Sequence, residues 1–117
     1  MAVVNYNVEY TKGDSHQIQV KDVGEVDKMY MTVKDPSSLL KIQKTYYLDP
    51  KEGTSNGIEL QEDGSYLITL EPGDTDYLKC NTKYSYDIQI NVGKVKATIV
   101  KGEINLTEEI TCCRDEV

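Results

Sequence analysis

Over residues 84–91 apolar and polar side chains alternate without a break. Tyr84, Tyr86, Ile88 and Ile90 share one parity, and Ser85, Asp87, Gln89 and Asn91 the other. Successive side chains leave an extended backbone on opposite sides, so a period of two predicts a strand with one buried face. Val92-Gly93-Lys94 predicts a turn, with Gly93 able to take positive φ. The return run alternates again, with Val95, Ala97 and Ile99 in phase, and then the parity switches to Val100, Ile104 and Leu106. One extra residue near positions 100–102 restores the inward face, and Gly102 is the predicted site of that β-bulge.

The same period recurs along the chain. Val4, Tyr6, Val8 and Tyr10 predict a first strand or an extended arm. His16, Ile18 and Val20 predict a second strand, and Met29, Met31 and Val33 a third that stops at Asp35-Pro36. Leu40 and Ile42 open a fourth strand that fades into Tyr46-Tyr47. A long polar loop, residues 49–57, follows and is expected to be mobile or a contact site. Ile58-Glu59-Leu60 and the run 65–70 flank Asp63-Gly64, a hairpin signal. Residues 74–79 predict one helical turn capped by Asp74 or Thr75, with Tyr77 and Leu78 tucked inward. No segment carries a sustained helical apolar stripe. Short strands at steady spacing predict an all-β antiparallel sandwich of seven or eight strands. Residues 1–10 form its first strand or a docking arm, 11–107 the sandwich, and 108–117 a charged tail.

A chain of 117 residues suits one domain with one core. Thirteen basic and 20 acidic side chains leave a net charge of −7. That argues against a nucleic-acid surface, which needs a basic patch, and against docking on anionic lipid; no nucleic acid and no membrane partner is expected. No run approaches the roughly 20 apolar residues of a membrane helix. The N-terminus lacks the basic and apolar regions of a signal peptide. Cys80, Cys112 and Cys113 are an odd count, and the adjacent pair would strain to bridge, so all three are read as thiols of a protein folded in a cytosol. With nine Tyr and neither Trp nor Phe, aromatic packing rests on tyrosine, and each buried hydroxyl needs a partner.

Signals for chemistry are sparse. His16, the one histidine, sits in phase with Ile18 and Val20 and reads as a partly buried strand residue, since a catalytic triad needs base, nucleophile and orienting group together. Neither a nucleophile elbow nor a glycine-rich phosphate loop is present. Asp63, Glu71, Asp74 and Asp76 sit at turns, where solvated caps are the ordinary role. Cys80, Cys112, Cys113 and His16 total four potential zinc ligands, but without the usual paired-cysteine spacing. Asp74 and Asp76 lack the ligand sequence of a hand-type calcium loop. No metal and no cofactor is expected. Tyr46 and Tyr47, with Tyr30, are candidates for glycan or receptor contact, or else cover a sheet face. Val4, Tyr6, Val8 and Tyr10 are candidates for protein docking by strand addition, or else form a strand of their own sheet.

Together these motifs resemble a known group. The run His16-Gln17-Ile18-Gln19-Val20 precedes Lys28-Met29-Tyr30-Met31-Thr32-Val33-Lys34. Gly64-Ser65-Tyr66-Leu67-Ile68 is followed by Leu70-Glu71-Pro72-Gly73-Asp74-Thr75, then by Tyr84-Ser85-Tyr86-Asp87-Ile88-Gln89-Ile90 and Val100-Lys101-Gly102-Glu103-Ile104. The pattern, over roughly residues 4–107, resembles small β-sandwich structural proteins of tailed bacteriophages and the N-terminal domain of the phage baseplate upper protein family. The resemblance implies an immunoglobulin-like sandwich without enzymatic activity, folded in the bacterial cytoplasm and located in the virion. It implies capsid, neck, tail or baseplate subunits as partners, with a capsid decoration or accessory role first. A neck, tail or baseplate adaptor and a receptor- or glycan-binding module at the tail are the alternatives. Members of the baseplate family continue into further domains, whereas this sequence stops soon after the sandwich.

Overall fold

The structure is a computed structural model that describes residues 4–11, 14–75, 78 and 82–107. Nine strands and one short helix follow in order: β1 Val4–Asn5, β2 Val8–Thr11, β3 His16–Val20, β4 Lys28–Lys34, β5 Leu40–Tyr47, β6 Ile58–Leu60, β7 Tyr66–Leu70, α1 Pro72–Thr75, β8 Lys83–Val92 and β9 Val95–Thr107. They form two sheets, a large one ordered β1-β9-β8-β4-β5, with β2 also on β9, and a small one ordered β3-β7-β6. Pairing is antiparallel within the small sheet and along β9-β8-β4-β5, while β1 and β2 run parallel to β9.

The strands face as their alternation dictates. Tyr84, Tyr86, Ile88 and Ile90 of β8 and Met29, Met31 and Val33 of β4 point into the core, where they meet Ile18, Tyr66, Ile68 and Leu70 of the small sheet. The absence of Phe and Trp puts hydroxyls in that core, and two are placed. Tyr66 accepts the Val26 N–H at 3.1 Å, and Tyr86 donates to the Tyr6 carbonyl.

Several details differ from the sequence expectation. The count is nine strands because the N-terminal run divides: residues 4–5 and 8–11 pair with β9, and Tyr6 and Asn7 lie between them. The bulge is at Ile99 of β9, which has no partner between the pairs Ile88 with Val100 and Gln89 with Thr98. Gly102 is instead a regular pair of Tyr86, and its lack of a side chain admits the Tyr6 backbone, which a Cβ there would strike. Strand β5 does not fade but runs through Tyr47. Leu40, expected inward, is exposed, and a register shift at Val33 and Lys34 separates it from Ile42. The helical turn starts at Pro72, two residues early, because proline suits a first helical position, whose N–H has no partner anyway. Asp74 is therefore not the cap; it reaches back to accept the Glu71 N–H at 2.6 Å. Leu78 is buried as expected, and Tyr77 lies outside the described residues.

Candidate functional site

The N-terminal edge is one place where the sandwich leaves apolar surface uncovered; Leu39, Leu40 and Val95 are exposed elsewhere. Strand β1 is an outer strand of the large sheet and β3 an outer strand of the small one. Between them lies a groove of about 520 Å³, lined by Val4, Tyr6, Ile18, Val20, Ile99 and Val100, with Gln17, Gln19 and Lys21 among its polar lining. Val4 is 57 % exposed and Tyr6 50 %. Tyr6 is nevertheless anchored through its backbone: its N–H donates to the Lys101 carbonyl at 3.0 Å and its carbonyl accepts the Tyr86 hydroxyl at 2.5 Å. Burial pushes the Tyr86 phenol up to about 12, with Tyr6 adding to the effect. Val8, by contrast, is core, and Tyr10 pairs through its backbone with Leu106. Of the four residues proposed for docking from sequence, Val4 and Tyr6 therefore present side chains to solvent. Val8 does not, because its side chain faces inward where β2 lies on β9.

The tyrosine pair reads differently in three dimensions. Adjacent strand residues point to opposite faces. Tyr46 is buried and packs edge-on against Tyr66, with ring centroids 5.1 Å apart. Tyr47 points outward, but the Lys28 ammonium lies 5.1 Å from its ring centroid and Gly53 sits so close to the ring that a side chain there would strike it. The same ammonium is 4.9 Å from the Tyr30 ring. Tyr46 and Tyr47 thus share no flat platform on which a sugar could stack. The loop of residues 49–57 is likewise folded back on its strand: Thr45 and Asn56 exchange two backbone bonds of 2.9 and 2.8 Å, and Tyr47 N–H donates to Ser55 Oγ at 2.9 Å.

One buried charge pair was not foreseen. Lys44 is next in phase after Ile42 on β5, so its stem enters the core. It passes beneath Gly57 and its ammonium meets Asp74 at 2.8 Å. The signal lay in the strand period, which makes Lys44 an inward residue once β5 is extended to Tyr47. The pair ties the large sheet to α1 and touches no cavity named above.

His16 opens β3 opposite Leu70, and partial burial lowers its pKa. Asp63 is a turn residue as expected, accepting from Ser65 N–H at 2.9 Å and Ser65 hydroxyl at 2.6 Å, and these bonds hold its carboxyl below the ordinary range. Among the described residues no three His, Cys, Asp or Glu side chains converge as a metal site. Cys80, Cys112, Cys113 and Asp76 lie outside the described residues. No helix among the described residues is long and apolar enough to cross a membrane.

On the outer face of the large sheet, Asp87 Oδ1 and Asn91 Oδ1 are buried without a hydrogen-bond partner. Beside Asp87 lies a shallow recess of about 310 Å³, flanked by Lys34 and Lys101.

No family profile matches the sequence, and no curated protein matches it. Solved structures do match in fold. A crystal structure of a chicken TCR superposes with a TM-score of 0.58 at 11 % identity, covering 90 % of this chain and 54 % of that one. This chain therefore spans about half the length of that neighbour, and the likeness is one of fold: an immunoglobulin-like β-sandwich. Antibody domains of that fold carry an inter-sheet disulfide between strands B and F. Here β3 and β8, which face each other across the core, contain no cysteine; Ile18, Val20, Tyr86 and Ile88 fill the space.

Proposed function

We propose that this chain is a non-enzymatic structural protein of a tailed-phage virion, a rigid sandwich that docks on the capsid surface as a decoration or accessory protein. The observation that carries the docking is the N-terminal edge: exposed Val4 and Tyr6 beside an apolar groove between two outer strands. An extended segment of a shell subunit can add to such an edge, with main-chain bonds for affinity and side chains in the groove for specificity. Many copies on a symmetric shell then convert weak single contacts into stable occupancy through effective concentration. The virion assignment rests on the sequence resemblance to phage structural proteins.

The test is immunogold labelling of intact particles with antibody to the recombinant chain. Label over the head supports decoration. Label at the neck or tail supports an adaptor or baseplate role instead, and absence of the chain from purified particles overturns the virion reading. The docking edge is tested separately with Val4→Asp and Tyr6→Asp, which should lower occupancy on particles while leaving the circular dichroism spectrum unchanged.

A further inference from the structure

Two places in the sequence set an asparagine or aspartate directly before a glycine: Asn56-Gly57, at the end of the loop behind β5, and Asp63-Gly64, in the β6–β7 turn. The order matters chemically. Glycine carries no Cβ, so the side-chain carbonyl of the preceding residue can approach the glycine nitrogen and close a ring on it. The nitrogen must be free to attack, and the side chain must be an uncharged acyl group. The structure separates the two sites on both counts.

In the β6–β7 turn the Gly64 N–H donates to the Gln61 carbonyl at 3.0 Å, and the Asp63 carboxylate accepts from the Ser65 hydroxyl and N–H. Those bonds favour the ionised carboxyl, and a carboxylate is a poor electrophile. At the other site Asn56 is exposed and neutral. Among the described residues its side chain makes no hydrogen bond, and neither does the Gly57 N–H. Backbone donors are strong hydrogen-bonding groups and most are paired, so an unpaired one next to an exposed amide stands out. Glycine is held at 57 for a separate reason: φ is +84°, and a Cβ would strike the Lys44 stem that passes beneath. We propose that Asn56 is a site of spontaneous backbone-assisted deamidation, to aspartate and isoaspartate, and that Asp63 is protected from the equivalent reaction.

The Gly57 nitrogen gives up its proton to solvent and attacks Asn56 Cγ. A C–N bond forms and closes a succinimide, while the side-chain nitrogen takes up a proton and leaves as ammonia. Water then opens the ring at either carbonyl. Opening at the side-chain carbonyl leaves aspartate and the original main chain. Opening at the main-chain carbonyl breaks the old bond between Asn56 and Gly57 and leaves isoaspartate, whose main chain runs through Cβ and Cγ and is longer by a carbon. That bond lies in a clip between the sheets. Asn56 exchanges two backbone bonds with Thr45 of β5, and the Gly57 carbonyl accepts the Thr69 N–H of β7 at 2.9 Å. A longer main chain shifts Gly57 relative to Asn56, so both halves of the clip cannot be kept. Strand β5 is an outer strand of the large sheet, and losing the clip bares its edge. Loss of ammonia makes the change one-way. This inference does not rest on the virion reading.

Incubation of the whole chain at mildly alkaline pH, followed by peptide mapping by mass spectrometry that separates isoaspartate from aspartate, tests it. The peptide holding Asn56 should be the first to gain the mass of an amide-to-acid exchange, with isoaspartate among its products, while Asp63 stays aspartate. Asn56→Gln, which would need a larger ring, should abolish the gain at that site. The isoaspartate form, separated by its added negative charge, should exchange the Thr45 or Thr69 amide hydrogen faster than the unmodified chain. Asn56→Asp adds the charge without lengthening the main chain and should leave both rates unchanged. The proposal is overturned if Asn56 stays intact in the folded chain over a time in which the chain unfolded in guanidinium chloride converts there. It is also overturned if Asp63 or another asparagine reacts first. Unchanged exchange at both Thr45 and Thr69 in the isoaspartate form overturns the opening of the clip.

Discussion

The Tyr86 hydroxyl donates to the Tyr6 carbonyl oxygen at 2.5 Å, joining the middle of the large sheet to its N-terminal edge. The bond is made where Gly102 leaves no side chain in the way. Tyr86→Phe keeps the ring and removes the donor, leaving a half-covered carbonyl unpaired. The expected cost is about 1–2 kcal/mol in chemical denaturation, with faster hydrogen exchange at Tyr6 than elsewhere in the sheet.

Burial of the same hydroxyl sets a limit at alkaline pH. The folded phenol is raised to about 12 from a reference of 10.0. A raised value means the folded state holds the proton more tightly. The stabilisation is fully present below pH 10 and is lost as the pH rises from 10 through 12, by about 2 kcal/mol in total. Urea titrations across that window should show the fall in wild type and a shallower one in Tyr86→Phe.

Lys44 and Asp74 form a pair whose cation is almost wholly buried. Lys44→Ala strands a partly buried carboxylate and should cost about 2–4 kcal/mol, while Lys44→Met, which keeps the stem, should cost less only if Asp74 turns to solvent. Thermal melts of the two variants with and without Asp74→Asn give the coupling directly. A coupling near zero would show the pair to be incidental.

Strand phase in β8 is open to a direct comparison. Ile88 is fully buried and its neighbour Gln89 faces outward. Ile88→Ala should destabilise by about 2–5 kcal/mol and Gln89→Ala by well under 1. Similar losses at the two positions would contradict the facing described above.

Asp87 Oδ1 is buried with no hydrogen-bond partner among the described residues. Asp87→Thr replaces it with a β-branched side chain of smaller polar demand, on a strand between Thr32 and Lys101. Stability should rise by roughly 0.5–1 kcal/mol. A loss instead would mean that the carboxylate is satisfied by a neighbouring lysine in solution.

Much of this fold was legible because alternation is a local signal. The β8–β9 hairpin, the inward faces of β3 and β4 and the turn at Gly64 follow from period two and from residues that accept positive φ. What was not legible depends on partners distant in sequence. The bulge falls at Ile99 rather than Gly102 because register is decided by pairing with β8, and Gly102 answers to Tyr6, a residue 96 positions away. Lys44 was passed over since a lysine is ordinarily outside, and only the Asp74 contact makes it tolerable within. The site suffered in the same way. Alternation alone joins Val4, Tyr6 and Val8 as one arm, yet the chain crosses from open edge to core between Tyr6 and Val8. Tyr46 and Tyr47 were adjacent in sequence and are on opposite faces in space.

Among the described residues strands β1 and β2 pair with β9 alone, with Val4 beside Val100 and Val8 beside Ile104. During synthesis the first strands therefore have no ladder to join until β9 has emerged. The small sheet and the β4–β5 pair can assemble earlier, since their partners are made in good time. The N-terminal edge is thus completed after those pairs, and for that interval the nascent chain carries an unpaired strand that a chaperone or a neighbouring copy can reach first.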